Sequence, residues 1–302
     1  MSDWLLSIAG TPEGAALATV LALISAFAHA VFGAMQKGAH DPWLSRGAMD
    51  LWFAIYSAPI ALLLLPWPSG EMWLWLLGAL ALHFSYKVSI ALAYERAAFT
   101  VVYPVVRGIG PLITVLAAMV IFAERYSALQ WLGLACLSGG ILLLALRNLA
   151  EEKLDLRALK IGLAWAVAGG VMVAAYTTFD AAAIRRAPDP LHFLVWFFFI
   201  TSLDFPILAW LRYRRMTHKP APGPLMIRGA VGAVVGYVSF GGIMLATLVG
   251  KVGEAAALRE TSTVFAALIG WFILRDKVGS RRLVLMSMIA AGAVLIELGA
   301  VR

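Results

Sequence analysis

The sequence predicts an all-α integral membrane protein of about ten transmembrane helices, arranged as two inverted five-helix repeats. Three observations carry this expectation. The chain is 62% hydrophobic and only 14% charged, whereas a soluble domain is near half apolar and a quarter charged. Its apolar residues fall in runs of the roughly 20 residues needed to cross about 30 Å of hydrocarbon. The second half of the chain also repeats the pattern of the first.

The runs place spans at 15–36, 47–66, 72–94, 100–122, 127–146, 161–184, 191–211, 225–248, 254–274 and 282–299. These leave little chain for a soluble domain. The longer connections are 147–160, charged and expected to be partly helical along the membrane surface, and 212–224, basic and proline-rich as a surface loop should be. Asp3 and Glu13 stand where a cleavable leader would be basic, and the first run is long enough to span, so no signal peptide is expected. Cys136, the single cysteine, lies inside an apolar run and reads as a small packing residue.

The repeat appears when residues 93–146 are written above 245–298, an offset of 152. Arg107 then falls on Arg259, Glu124-Arg125 on Asp276-Lys277, and Gly140 on Gly292. Asp41-Pro42, after the first span, recurs as Asp189-Pro190 after the sixth. The halves are 15–146 and 161–299. Five spans is an odd number, so the second half enters the membrane from the opposite face. Inverted repeats of this kind are common in secondary transporters, with the substrate site between the halves near the midplane.

The formal net charge of +7 resides mostly in short loops, which points to the anionic lipid surface and not to nucleic acid. Most loop lysines and arginines follow odd-numbered spans, among them Arg46, Arg147, Lys153, Arg212, Arg214 and Arg215. By the positive-inside rule that count puts both termini outside.

Ionisable residues inside spans cost about 2.5–3.5 kcal/mol each on insertion scales, so each one needs a partner or a wet cavity. Arg107 and Arg259 are the leading candidates for substrate contact. Arg107 lies about eight residues into its span and Arg259 about six, roughly 12 and 9 Å at the helical rise. An arginine fork suits a carboxylate, phosphonate or phosphate. A structural ion pair with Glu260, Asp204 or Asp180 is the competing role. Pro104, Gly108, Gly110 and Pro111 around Arg107 predict a kink or break there. In the third span, His83, Tyr86, Lys87 and more loosely Tyr94 share a helical stripe that would line a cavity; the alternative for Lys87 is to snorkel toward an interface. His29 in the first span is a further cavity candidate, and Trp52 and Trp196 are deep enough to stack on a substrate. Asp180, Asp204 and Glu260 are candidates to carry a coupling proton. Glu260 follows Arg259 directly and so points about 100° away from it, which directs it toward another helix's charge. Trp4, Trp43, Trp67, Trp73 and Trp75 sit near span ends as interfacial anchors. The paired glycines at 139–140, 169–170 and 241–242 permit close helix packing.

The segment 91–146, with its small-residue-rich span, its Glu124-Arg125 turn and its spaced glycines, resembles the EamA repeat of the drug/metabolite transporter superfamily. Residues 254–296, containing ALRETSTVFAALIGWFILRDKVG, look like a second copy, with Asp276 where that family's turn usually has Glu. The resemblance implies a ten-span carrier of the cell inner membrane, often an exporter of metabolites such as amino acids, with cytoplasmic termini. On that last point it opposes the charge count.

The partners expected are therefore a small-molecule solute and the lipid bilayer, with no nucleic acid, cofactor or metal; the sequence leaves a homodimer open. The chain contains no Gly-x-x-x-x-Gly-Lys-Ser/Thr motif for direct ATP drive. An intramembrane enzyme is the alternative of a different class, but His29, His40, His83, His192 and His218 are scattered without metal-ligand or acid–base spacing. A channel or a non-transporting membrane partner is the third reading.

Overall fold

Long apolar runs can satisfy their backbone in lipid only by coiling into helices, and the computed structural model is accordingly helical, with no strand among the described residues. It describes residues 2–36, 41–97, 99–150, 156–272 and 280–300. A short helix, Ser2–Ile8, precedes the spans. Gly10, at φ 76°, turns the chain out of it, a left-handed conformation that glycine adopts without steric cost. Then come α1 (Pro12–Gln36), α2 (Pro42–Leu64), α3 (Gly70–Tyr94), α4 (Phe99–Ile121) and α5 (Ala128–Ala150). The second half holds α6 (Leu156–Arg186), α7 (Pro190–Arg215), α8 (Pro222–Val249), α9 and α10 (Ser280–Ala300). Among the described residues, nine stretches are long and apolar enough to cross a membrane. The chain is an all-α, multi-pass integral membrane protein.

The ninth expected span departs from a single helix. It is two pieces, α9a (Val252–Arg259) and α9b (Ser262–Phe272), meeting at Glu260-Thr261. The run Arg259-Glu260-Thr261-Ser262-Thr263 explains the joint. Thr261 Oγ1 donates to the Leu258 carbonyl at 2.7 Å and Thr263 Oγ1 to that of Glu260 at 2.9 Å, so side chains take carbonyls that a continuous helix would use. α7 is likewise broken, into α7a (Pro190–Thr201) and α7b (Asp204–Arg215). Pro206 has no N–H to bond back to Ser202. By contrast α4, where a kink or break is expected, stays helical through Pro104 and Pro111; the break lies in the other half, at Glu260. Two π-helical turns, Ile60–Leu64 in α2 and Tyr237–Gly241 in α8, complete the irregularities.

Helix ends also differ from the expected loops. α7b continues to Arg215 and so takes in residues assigned to the 212–224 loop. Residues 147–150 and 156–160 extend α5 and α6. The recurring Asp-Pro pairs do the same work twice. Asp41 Oδ1 accepts from the Trp43 and Leu44 amides at 2.9 and 3.3 Å, and Asp189 Oδ1 from the Leu191 and His192 amides at 2.9 and 3.1 Å. Each aspartate caps its helix, and the proline follows at a position where no N–H is needed.

Packing pairs the helices across the bundle. α4 lies on α6 as α9 lies on α1; α3 lies on α6 as α8 lies on α1; α2, α4 and α5 meet α7, α9 and α10. This is the pattern a pseudo-twofold axis produces. The α5–α10 contact is backbone against backbone. A Cβ built on Gly133 would lie 2.6 Å from the Gly292 carbonyl oxygen, and one on Gly292 2.6 Å from that of Gly133. Only glycine fits at either place, in the small-residue mode of membrane helix association.

α4 ends in a turn with Ala123 at φ 52°, and the Glu124 amide bonds back to the Ala118 carbonyl at 3.3 Å. This is a helix-terminating motif whose left-handed position usually belongs to glycine. It aims Glu124 at the start of α9a, where its two oxygens accept from the Val252 and Gly253 amides at 2.6 and 3.1 Å. The Tyr126 hydroxyl also donates to Glu124. Burial and the adjacent Glu124 carboxylate together push the Tyr126 phenol well above its ordinary range. The turn's expected counterpart, Asp276-Lys277, lies outside the described residues.

Candidate functional site

The polar run at the α9 joint, the proline-rich α4 and the π-turn of α8 converge at mid-bundle on α1. Arg107 and Arg259 are 4% and 3% exposed, so both face the protein interior and not lipid or headgroups. Arg107 Nη1 donates to Glu260 Oε1 at 2.9 Å, and its other terminal nitrogen meets Nε2 of His29. Its guanidinium sits 5.3 Å from the Tyr103 ring centre. The carboxylate of Glu260 therefore crosses to the other half's arginine, the direction its helical phase requires.

Arg259 is differently placed. Its guanidinium lies 4.9 Å from the ring centre of Phe240 and 3.4 Å from His29 Nδ1. That nitrogen also meets Ser239 Oγ at 3.2 Å. A neutral imidazole has one acceptor nitrogen. With Nε2 turned to Arg107, Nδ1 carries the hydrogen and donates to Ser239, so Arg259 gains no hydrogen bond from the ring. Among the described residues Arg259 has no salt-bridge partner, and its Nε has no hydrogen-bond partner.

The α3 stripe divides between two neighbours. His83 Nε2 lies 2.7 Å from Asp180 Oδ2 on α6, and its ring packs tilted against Tyr176 at 4.4 Å. Tyr86 packs edge-on against the same Tyr176 at 5.2 Å. Lys87 faces the other way. Its Nζ donates to Asp50 Oδ2 and to the Thr201 carbonyl, each at 2.8 Å, and to Asp204. It does not snorkel, and its three N–H groups have three acceptors. The Thr201 carbonyl is available because α7 breaks there.

Asp180, His83, Tyr176, Phe197, Phe240 and Arg259 line a cavity of about 20 Å³, which holds about one water molecule. A second cavity of about 20 Å³ adjoins it, sharing His83, Phe197 and Phe240 and extending to Arg46 and Asp50. The aromatic rings thus stand between Arg259 and the Lys87 cluster.

Trp196 is not brought to this centre. It is fully buried, donates to the Pro66 carbonyl at 3.2 Å and packs against Trp67 and Trp73. Trp52 packs tilted against Tyr56 at 5.2 Å, and its buried Nε1 has no hydrogen-bond partner among the described residues. Several central residues escaped the sequence reading. Asp50 is an ionisable residue inside an expected span, and the same rule that singled out Lys87 applies to it. Arg46, counted with the loops, is a helical residue 2.8 Å from Asp50; the i,i+4 spacing was the available signal. Tyr176, Phe240 and Ser239 gave none, because an aromatic or serine in an apolar run is ordinary.

Comparisons with known proteins agree with this architecture. Residues 160–298 match the EamA-like transporter family. A solved crystal structure superposes with a TM-score of 0.72 at 17% identity, covering 95% of this chain and 98% of that one, a likeness of fold alone. None of the curated proteins matches.

Proposed function

We propose, from the premise that residues 160–298 make this chain a member of the EamA-like transporter family, that it is a secondary carrier of small polar or anionic metabolites such as amino acids. It works by alternating access between two five-helix halves, 15–146 and 161–299, in the cytoplasmic membrane. Export is the direction that the family resemblance favours.

One observation carries the substrate reading. Arg259 is a buried guanidinium at mid-bundle whose nearest candidate counterion, Glu260, is committed to Arg107. A buried charge without a partner costs several kcal/mol, and a planar cation presents its fork to a carboxylate or phosphate. Arg259 is accordingly the substrate-contact residue, and Arg107 a positioning residue that holds Glu260 and His29 in place. A solute would reach Arg259 by separation of the helices at one face at a time, which is alternating access.

The test is solute flux in proteoliposomes, run over a panel of amino acids, dicarboxylates and phosphate esters. At least one solute should show saturable, slow flux, and Arg259→Gln should raise its half-saturation concentration roughly 10- to 100-fold, as loss of a charged hydrogen bond predicts. Unchanged flux of every transported solute in Arg259→Gln would sink the site assignment.

A further inference from the structure

The mid-bundle charges balance only when counted together. Lys87 and Arg46 face Asp50 and Asp204, two against two. Arg107 faces Glu260. Among the described residues this leaves one unmatched cation, Arg259, and one carboxylate paired only with a histidine, Asp180. These two line the same cavity, and each aims an unpartnered polar atom, Arg259 Nε and Asp180 Oδ1, within a residue that is 3% or 5% exposed. The described residues thus place a lone positive group and a lone acid–base pair in the lining of one small space.

We propose that His83–Asp180 and Arg259 form a coupled proton–anion site, in which the pair takes up one proton when an anion docks on Arg259. This rests on the carrier reading and deepens it by naming what accompanies the solute. The charge argument is direct. With His83 neutral, Asp180 is the distant counter-charge of Arg259. An anion arriving at Arg259 leaves Asp180 in excess, and a proton on the pair, yielding imidazolium beside carboxylate or imidazole beside carboxylic acid, restores neutrality. No bond other than that N–H or O–H is made. The binding of each ligand must then strengthen that of the other by the same factor, since coupling between two sites is reciprocal. The pair is reached from every side by identified groups: Tyr86 on α3, Tyr176 and Thr177 on α6, Thr201 and Ser202 on α7, Thr247 on α8, Arg259 on α9, and Arg46 and Asp50 on α2 through the adjoining cavity. Of these, Arg259 carries the unmatched charge.

The experiment is a pH titration of ring-15N-labelled histidine by NMR in the purified full-length protein, with the His83 signals identified by their loss in His83→Gln. The wild-type pair should titrate as a single proton-binding unit. Arg259→Gln, which removes the repelling cation, should raise its proton affinity by roughly fivefold or more, the low end of ordinary site coupling. Asp180→Asn should lower the proton affinity of His83 and guards against misassignment. If His83 fails to titrate between about pH 5 and 9, outside the spread of histidine behaviour in proteins, or titrates identically in wild type and Arg259→Gln, the coupling is wrong. Neither result depends on which solute is carried, so this inference can fail while the liposome flux that tests the carrier reading stands.

Discussion

Arg107 and Arg259 are matched in the sequence but should separate cleanly when each is replaced by glutamine. Arg107 is 2.9 Å from Glu260, with the side chains 4% and 3% exposed. At an effective dielectric near 20, two charges about 3 Å apart attract by roughly 5–6 kcal/mol. Desolvation consumes much of this in the intact pair, but removing one partner strands the other, at a cost of about 3–5 kcal/mol. Arg107→Gln should therefore destabilise by that amount, and adding Glu260→Gln should recover more than half of it by removing the stranded carboxylate. Arg259→Gln breaks no salt bridge among the described residues; it loses a cation–π contact with Phe240, about 0.5–2 kcal/mol, and is relieved of an unmatched buried charge. Its net effect on stability should be within about 1 kcal/mol of zero, while solute affinity falls. Thermal unfolding in detergent, with flux measured on the same preparations, reads both quantities. Equal destabilisation by the two arginine substitutions, or a double variant no more stable than Arg107→Gln, would refute the division into a positioning and a substrate-contact arginine.

Further expectations follow from the remaining charges, caps and contacts. Lys87→Met should cost about 3–5 kcal/mol because it leaves Asp50 and Asp204 facing one cation, and Asp204→Asn in the same chain should restore part of that; strictly additive unfolding energies would show the cluster is not coupled. Glu124→Ala should lose about 1–2 kcal/mol by uncapping α9a, whereas Ala123→Gly should be neutral or stabilising by up to about 1 kcal/mol because it relieves the left-handed alanine. Denaturant midpoints of the two variants should move in opposite directions or, at minimum, not together. Gly292→Val places a branched side chain where even a Cβ lies 2.6 Å from a carbonyl oxygen and should destabilise by about 2–3 kcal/mol or more, a loss that Gly292→Ala should show in smaller measure.

Helix number and the location of the charged centre were legible because lipid imposes a coarse rule: runs of about 20 apolar residues span, and any charge within them must be housed. Arg107, Arg259, Lys87 and Glu260 were found that way. Which charges pair was not legible, since pairing depends on helix rotation and contact across a sequence separation such as that between Lys87 and Asp204. The breaks were misplaced for a related reason. Proline and glycine around Arg107 read as a kink or break; α4 stays helical through them, while α9 is interrupted at a threonine- and serine-rich stretch whose hydroxyls compete for backbone carbonyls. Trp196 looked available for stacking because depth along a span is readable from sequence and the partner rings are not.

The interruption of α9 has a mechanical consequence. α9a is fastened by Glu124 to the end of α4, both pieces pack on α1, and Glu260-Thr261 is the point at which the span can bend. Rigid helices transmit displacement from one face of the bilayer to the opposite one; a jointed one insulates them. A bend there would let α9a and α9b tilt by different amounts, with the carboxylate that pairs with Arg107 seated at the joint.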